Sequence, residues 1–228
     1  MPSGNRQFFD LSPNRPYVLE SGTELSAPQV AYETWGTLDA AASNAILVCH
    51  ALTGDAHAHG DAGPGQPTPG WWNDFIGSGK PLDTDRFFVV CANVLGGCQG
   101  STGPASINPS TGRRWGGDFP VVTIRDVVRS QRALAQYLGI QRWMAVVGGS
   151  MGGMQALEWA ASYPDRCGSL VIIASTAAAS AQQIAWSQVG RQAILDDPAY
   201  AQGNYYEANP GDGPHLGLAN ARRIAMIH

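Results

Sequence analysis

The chain has 228 residues, of which 44% are hydrophobic and only 14% are charged, so it is long and apolar enough to bury a sizeable core. Its formal net charge is −4, and its basic residues form no run longer than a pair such as Arg113-Arg114. This composition excludes an intrinsically disordered chain, and the charge pattern offers no basic surface for nucleic acid or for an anionic membrane.

The N-terminus and the cysteines indicate in which cellular compartment the protein occurs. The first ten residues are polar, and no apolar run approaches the length needed to span a membrane. The four cysteines (Cys49, Cys91, Cys98 and Cys167) form no C-x-x-C pair, and the first two lie in apolar runs. This pattern favours buried, reduced thiols over disulfides or a zinc site, and it predicts a cytoplasmic protein.

The first hundred residues predict strands and one long loop. The segments "PYVLESG" and "APQVAYETWG" predict an antiparallel hairpin that leads into the core. The apolar runs at 44–52 ("NAILVCHAL") and 86–97 ("RFFVVCANVLGG") predict parallel strands that are buried on both faces. The segment between them is rich in Gly and Pro, which predicts a long functional loop with one short helical turn near 71–76.

The second half predicts alternating helices and strands. Apolar spacing from 124 to 138 indicates an amphipathic helix with Thr123 as N-cap and Gly139 as its stop. A strand "RWMAVVGG", a helix "SMGGMQALEWAASYP" and a strand "GSLVIIAS" follow, which predicts a mostly parallel α/β sheet flanked by helices. Two helical segments after Ser175 predict the start of a helical cap. We therefore divide the chain into a core at 1–178 and a cap at 179–228.

One motif carries chemistry. Gly148-Gly149-Ser150-Met151-Gly152 satisfies G-x-S-x-G, and an apolar strand enters it while a helix leaves it, which is the setting of a nucleophile elbow. Side chains at either outer glycine would collide with the tightly turning backbone. Ser150 is therefore the predicted nucleophile, and the backbone N–H of Met151 is a predicted oxyanion-hole donor. The alternative is an ordinary helix N-cap serine.

A second oxyanion donor is expected from the loop after an earlier strand, where the backbone N–H of Leu52 in "HALTG" is the candidate. An ordinary glycine turn at the end of the strand is the alternative. We expect His50 to be a packed structural histidine, because the catalytic base follows the nucleophile in this triad order. We expect His57 and His59 to be solvated loop residues, and we predict no metal site.

Longer motifs carry a resemblance. These are "HALTGDAH", "PGWW", "GSGKPLDTDRFFVVCANVLGGCQGSTGPASINPSTG", "FPVVTIRDVV" and "VVGGSMGGMQALEWAASYPDR". From about Ala31 to its last residue the chain resembles the homoserine O-acetyltransferases of the α/β-hydrolase superfamily. The resemblance implies the α/β-hydrolase fold and a cytoplasmic homodimer that moves an acetyl group from acetyl-CoA to L-homoserine in methionine biosynthesis. Acetyl-CoA is then a co-substrate, and no cofactor is bound.

The same resemblance assigns residues. It implies Ser150 as the nucleophile, Leu52 and Met151 as the oxyanion donors, and Arg222 as the residue that binds the homoserine carboxylate, for which a bidentate guanidinium is well suited. Without the resemblance, Arg222 reads as a solvated arginine of the cap helix. Within the transferase class, the donor could instead be succinyl-CoA and the acceptor L-serine. Outside that class, the same fold is also compatible with an esterase and with a catalytically silent binding protein.

The acid and base of the triad are expected after the nucleophile, on loops that follow late strands. The later acidic residues and histidines fall in the loop before the last predicted strand or in the cap: Asp165, Asp196, Asp197, Glu207, Asp212, His215 and His228. We expect none of them to be the partner of Ser150. The late strands of the fold are missing from the sequence, so we expect the chain to be the N-terminal portion of a longer enzyme and inactive by itself.

Overall fold

The computed structural model describes residues 6–209 and 211–227. Its strands are β1 (Gln7–Asp10), β2 (Tyr17–Val18), β3 (Glu24–Leu25), β4 (Gln29–Trp35), β5 (Ala45–Cys49), β6 (Ile76–Gly77), β7 (Leu82–Asp83), β8 (Phe88–Ala92), β9 (Ala145–Gly149) and β10 (Leu170–Ile173). Its α-helices are α1 (Ile124–Tyr137), α2 (Met151–Ser162), α3 (Ala181–Leu195) and α4 (His215–Ala225). Short 3₁₀ helices span Gly116–Asp118, Pro164–Arg166 and Pro198–Gly203.

Six of these strands form one sheet in the order β1-β4-β8-β5-β9-β10. Strands β8, β5, β9 and β10 are parallel, whereas β1 and β4 are antiparallel to their neighbours. All five residues of β5 are buried, as its continuous apolar run predicts for a central strand. The predicted mostly parallel α/β sheet is confirmed, and so are the strands predicted at 44–52 and 86–97.

The predicted N-terminal hairpin is wrong in its pairing. Strand β4 pairs with β1, in the register Phe9↔Val30, whereas "PYVLESG" supplies β2, which turns back at once to pair with β3. The turn contains Gly22 at φ 86°, a left-handed conformation that glycine adopts without steric cost. This tight turn pairs β2 with β3. The edge strand of the six-stranded sheet is therefore β1, which precedes both in the chain.

Helix α1 begins and ends at the predicted residues. The Thr123 hydroxyl accepts from the Asp126 N–H at 3.2 Å, and the Asp126 carboxylate accepts from the Thr123 N–H at 3.1 Å, which is a capping box. Gly139 follows the helix at φ 77°, the left-handed residue that commonly ends helices. Val128 and Leu134 on the inner face are fully buried, so the helix covers the sheet.

The interior of the sheet and its helices is apolar and closely packed. Trp143 and Trp159 are both buried, and their rings meet edge to face with centroids 6.3 Å apart. Cys49 and Cys91 are buried free thiols, as predicted, and burial raises the pKa of each. No helix among the described residues is long and apolar enough to cross a bilayer.

The described chain divides into two compact units. The first comprises 6–102 and 121–176 and contains the six-stranded sheet, α1 and α2. The second comprises 103–120 together with the described residues from 177 onward, including α3 and α4. The sequence places a boundary at 178 but leaves 103–120 in the core. In the second unit the backbone of Gly117 lies so close to Gln202 that a Cβ would stand 2.0 Å from its carbonyl oxygen.

Candidate active site

Ser150 occupies a strained turn between β9 and α2. Its φ of 55° and ψ of −121° lie outside the regions that L-residues ordinarily adopt. The turn is held by hydrogen bonds to the Ser150 backbone: its N–H donates to the Ile173 carbonyl at 3.0 Å, and its carbonyl accepts from the Gly153 N–H at 2.9 Å and from the Ser175 hydroxyl at 2.7 Å. The residue is exposed. The predicted strand-turn-helix arrangement is confirmed.

The glycines of the elbow are required by contact distance. A Cβ on Gly148 would lie 2.1 Å from the carbonyl oxygen of Gly152, and a Cβ on Gly152 would lie 2.0 Å from the carbonyl oxygen of Cys49. Both separations are far below van der Waals contact, as the sequence predicts for the outer glycines. At Gly149 the nearest atom would be 3.8 Å away, so this position of the motif has room for a side chain.

His50 is a structural histidine, as predicted. Its Nε2 accepts from the Val94 N–H at 3.1 Å, which leaves Nδ1 to donate to the Ala51 carbonyl at 2.8 Å. Both ring nitrogens are therefore used by the backbone, and burial lowers the pKa of the imidazole, so the neutral form is favoured. The ring fixes the turn that follows β5, and Leu52 in that turn is exposed.

Two backbone N–H groups remain free next to the elbow. Strands β5 and β9 are neighbours in the register Cys49↔Gly148, so the segments that follow them begin at the same edge of the sheet. Neither the N–H of Leu52 nor that of Met151 has a hydrogen-bond partner among the described residues. Met151 is also the first residue of α2, where the helix dipole favours negative charge. The arrangement can bind an oxyanion.

The prediction of solvated histidines in the long loop is wrong for His57. His57 is buried, and its Nδ1 lies 2.9 Å from the carboxylate of Glu33, a fully buried residue of β4. Gln66 donates to the other Glu33 oxygen. His59 is only half-buried, but its Nδ1 is enclosed. A buried carboxylate needs partners, and the loop folds inward to supply them. No group of residues that could hold a metal ion occurs among the described residues.

Arg222 lies on the last turn of α4, in the second unit, and is exposed. No carboxylate of the described residues lies within ion-pair distance of it, whereas its neighbour Arg223 donates to Asn220 at 3.0 Å. Arg222 is therefore free to bind an anionic ligand.

The Ser150 hydroxyl has no side-chain partner in its own unit, because no described side chain of the first unit hydrogen-bonds it. The carboxylate of Asp197 instead caps backbone, accepting from the N–H groups of Gly217 at 2.8 Å and Ala199 at 2.9 Å, and these bonds lower its pKa. His228 lies outside the described residues.

The parallel sheet, its crossover helices and the glycine-lined elbow define an α/β-hydrolase architecture. A family model described as the alpha/beta hydrolase fold matches residues 44–220. The chain belongs to the α/β-hydrolase fold family.

Individual relatives are more specific. The chain is 57% identical over 226 residues to a homoserine O-acetyltransferase of Thermobifida fusca, which covers 99% of this chain and 59% of that protein. It is 55% identical over 214 residues to a homoserine O-succinyltransferase of Alkalilimnicola ehrlichii, covering 94% of this chain and 55% of that protein. The chain thus spans little more than half the length of these curated relatives.

Two solved structures are similar to this chain over almost its whole length. A crystal structure of homoserine O-acetyltransferase from Bacillus anthracis superimposes with a TM-score of 0.87 at 35% identity, over 97% of this chain and 59% of that one. The crystal structure of esterase E22 superimposes with a TM-score of 0.86 at 36% identity, over 96% of this chain and 60% of that one. Similar architectures therefore occur in proteins named for acyl transfer and for ester hydrolysis.

Proposed function

We propose that this chain is the nucleophile-bearing portion of a homoserine O-acetyltransferase. The observation that carries the proposal is Ser150: an exposed serine at positive φ, at the N-terminus of a helix, beside two backbone N–H groups that are unpaired in the described chain. The high identity to proteins named homoserine O-acetyltransferase selects the reaction from among those that such an elbow can perform.

The proposed reaction has two covalent steps. The Ser150 oxygen attacks the thioester carbonyl of acetyl-CoA while its proton passes to a general base. The tetrahedral intermediate collapses, the carbon–sulfur bond breaks, and CoA leaves as the thiol with that proton. The hydroxyl of L-homoserine then attacks the acetyl-serine ester and gives its proton to the same base. The bond between the acetyl carbon and the Ser150 oxygen breaks, the base returns the proton to that oxygen, and O-acetylhomoserine leaves.

The backbone N–H groups of Leu52 and Met151 are proposed to bind the oxyanion in both steps. Both groups are unpaired in the described chain, and the turn that carries Leu52 is held by the ring of His50. Donors that are fixed before the reaction need no reorganisation when charge develops, and a single such donor contributes about 10²–10³ in kcat.

The general base and its orienting acid are proposed to lie in the part of the relatives' length that this chain does not span. The 228-residue chain by itself should therefore transfer no acetyl group above the background rate, whereas the full-length protein should be active. Measuring CoA release in the presence of acetyl-CoA and homoserine gives the activity of the 228-residue chain and of the full-length protein. An active 228-residue chain would mean that the base lies among its own histidines.

Arg222 is proposed to bind the carboxylate of homoserine. Arg222→Lys should raise KM for homoserine about tenfold or more, because an ammonium cannot reproduce the bidentate fork. The rate of Ser150 acylation by acetyl-CoA should stay unchanged. Arg223→Lys is the matched control, since the neighbouring arginine bonds to Asn220. Equal effects of the two substitutions on KM would remove Arg222 from this role.

Steady-state kinetics of the full-length protein test the reaction. Varying acetyl-CoA at several fixed homoserine concentrations should give parallel double-reciprocal lines, as expected for ping-pong kinetics. Succinyl-CoA and L-serine replace donor and acceptor in parallel assays. Converging lines would contradict the acyl-enzyme.

Two further functions have specific support. The similarity to a homoserine O-succinyltransferase favours succinyl-CoA as the alternative donor. The similarity to esterase E22 favours hydrolysis, in which water replaces homoserine as the acceptor. Release of acetate from the acyl-enzyme without homoserine distinguishes the hydrolase, because a transferase site must exclude water to favour the amino-alcohol.

A cytoplasmic homodimer is part of the same proposal. It rests on the resemblance to the family, and the free cysteines of the described chain agree with a reducing compartment. Light scattering coupled to size-exclusion chromatography of the full-length protein measures the oligomeric state, and the proposal requires twice the monomer mass.

A further inference from the structure

The side chain of Gln155 connects the two segments that carry the free N–H groups. Gln155 lies on α2 and is fully buried. Its Nε2 donates to the carbonyl of His50 at 3.1 Å and to the carbonyl of Met151 at 3.3 Å. The first carbonyl lies two residues before Leu52, and the second belongs to Met151 itself. One amide group thus holds both sides of the candidate oxyanion hole.

A chain of buried polar groups fixes the orientation of this amide. The Gln155 Oε1 accepts from Gln131 Nε2 at 2.7 Å, and the Gln131 Oε1 accepts from Trp159 Nε1 at 2.8 Å. All three side chains are buried. An indole nitrogen only donates and a backbone carbonyl only accepts, so the two ends of the chain dictate the direction of every bond. Flipping either amide would bring like groups together.

Helix α2 and the end of β5, which Gln155 connects, are packed too closely to shift toward each other. Helix α2 approaches the end of β5 so closely that a Cβ on Gly152 would stand 2.0 Å from the Cys49 oxygen and 3.2 Å from the His50 oxygen. On the far side, the ring of His50 bonds to Ala51 and to Val94. The turn that bears Leu52 is therefore held by two side chains: Gln155 bonds to the His50 carbonyl, and the His50 ring bonds to Ala51 and Val94.

We propose that Gln155 is a positioning residue that sets the separation of the Leu52 and Met151 N–H groups, so that both point at one oxyanion. This inference rests on the proposed function, because it takes those two groups as the oxyanion donors. Gln155 is buried beneath the elbow and touches no reacting atom. Its effect should therefore fall on the acylation rate rather than on the binding of either substrate.

The test compares Gln155→Met with Trp159→Phe in the full-length protein. Gln155→Met keeps the length and much of the volume of the side chain but removes both bonds to the carbonyls. Trp159→Phe removes the indole N–H at the other end of the polar chain and leaves Gln155 in place. We expect Gln155→Met to slow Ser150 acylation by about 10- to 100-fold, somewhat less than the loss of one oxyanion donor, with KM for acetyl-CoA within about twofold. Trp159→Phe should stay within about threefold of wild type, because the His50 and Met151 carbonyls still dictate the orientation of the Gln155 amide.

A second variant covers the case in which Gln155→Met does not fold. Gln155→Glu preserves the shape, and burial raises the pKa of a carboxyl, so its protonated form can donate to one carbonyl while its ionised form cannot. The ratio of variant to wild-type acylation rate should therefore rise as the pH falls. A ratio that does not change with pH would contradict the inference.

The outcomes separate the two proposals. A wild-type protein that forms no acyl adduct on Ser150 would overturn the proposed function and this inference with it. A wild type that acylates normally, with Gln155→Met acylating at the same rate or losing equally in KM, would overturn only the positioning role. Equal losses of acylation rate in Gln155→Met and Trp159→Phe would mean that the network only stabilises the fold. That result would also overturn the positioning role.

Discussion

The backbone at Ser150 depends on contacts that only glycine permits. A non-glycine residue held at φ 55° costs of order 1–3 kcal/mol, so the surrounding backbone must hold the turn firmly. Gly152 allows α2 to rest directly on the end of β5, whereas a Cβ on Gly149 would make only ordinary van der Waals contact with Ile173. The outer glycines of the motif therefore have a steric role, and the inner one does not.

Gly152→Ala should lower the free energy of unfolding by about 1–3 kcal/mol or more, because the added methyl group meets a rigid backbone oxygen. Gly149→Ala is the matched control and should change it by less than about 1 kcal/mol, since its Cβ meets nothing closer than 3.8 Å. Urea unfolding followed by circular dichroism measures both. Equal losses would mean that the elbow adjusts to a side chain at either position.

His50 predicts a pH dependence of stability. Burial holds the pKa of its imidazole below the ordinary value of about 6.5. Between these two pKa values the unfolded chain binds a proton at His50 and the folded chain does not. The free energy of unfolding should fall as the pH drops below about 6.5, by at most about 1.4 kcal/mol per pH unit from this group, until the pH reaches the folded-state pKa.

His50→Gln tests this dependence, because a glutamine oxygen can still accept from Val94 but does not titrate. Urea unfolding of both proteins between about pH 7.5 and pH 5 should show the wild type losing more stability than the variant. Parallel losses would assign the acid sensitivity to other groups, such as His59, whose pKa is also lowered by burial.

Single residues were predictable where local geometry dictates them. The elbow glycines and the structural role of His50 follow from the motif and from chain order alone. The Glu33–His57 pair does not, because its partners are 24 residues apart with β5 between them, and the loop that carries His57 has no periodicity. A signal was present all the same: a carboxylate within the apolar strand "QVAYETW" requires a buried partner.

At the scale of elements, α1 offers the clearest energetic test. Thr123→Ala removes the hydroxyl of the capping box and should destabilise the protein by about 0.5–2 kcal/mol. Thr123→Ser keeps the hydroxyl and should remain within about 0.5 kcal/mol of wild type. Thermal unfolding of the two variants measures the difference, and a loss of equal size in both would show that the methyl group, rather than the cap, stabilises this end of the helix.

Element type was easier to predict than element pairing. The helices follow from apolar periodicity and the parallel strands from continuous apolar runs, and both patterns lie within a single segment. The partner of β4 depends on which of two N-terminal segments is left unpaired, and the turn at Gly22 pairs β2 with β3 instead. Pairing is a competition between segments, so the pattern of one segment cannot decide it.

At the scale of the whole molecule, the edge strand β10 combines an apolar sequence with exposed side chains. It is apolar, yet Val171, Ile172 and Ile173 are each at least 40% exposed, because β9 is its one strand neighbour among the described residues. The sequence predicts this strand but not its exposure. Likewise, the position of 103–120 in the second unit depends on backbone contacts with 202–204 that no local pattern reveals.

The mass of the full-length protein after brief exposure to acetyl-CoA, followed by peptide mapping, tests most directly whether Ser150 forms an acetyl-enzyme. We predict one acetyl group on Ser150, absent from Ser150→Ala and removed when L-homoserine is added. An acetyl group on another residue, or an adduct that homoserine does not remove, would contradict it.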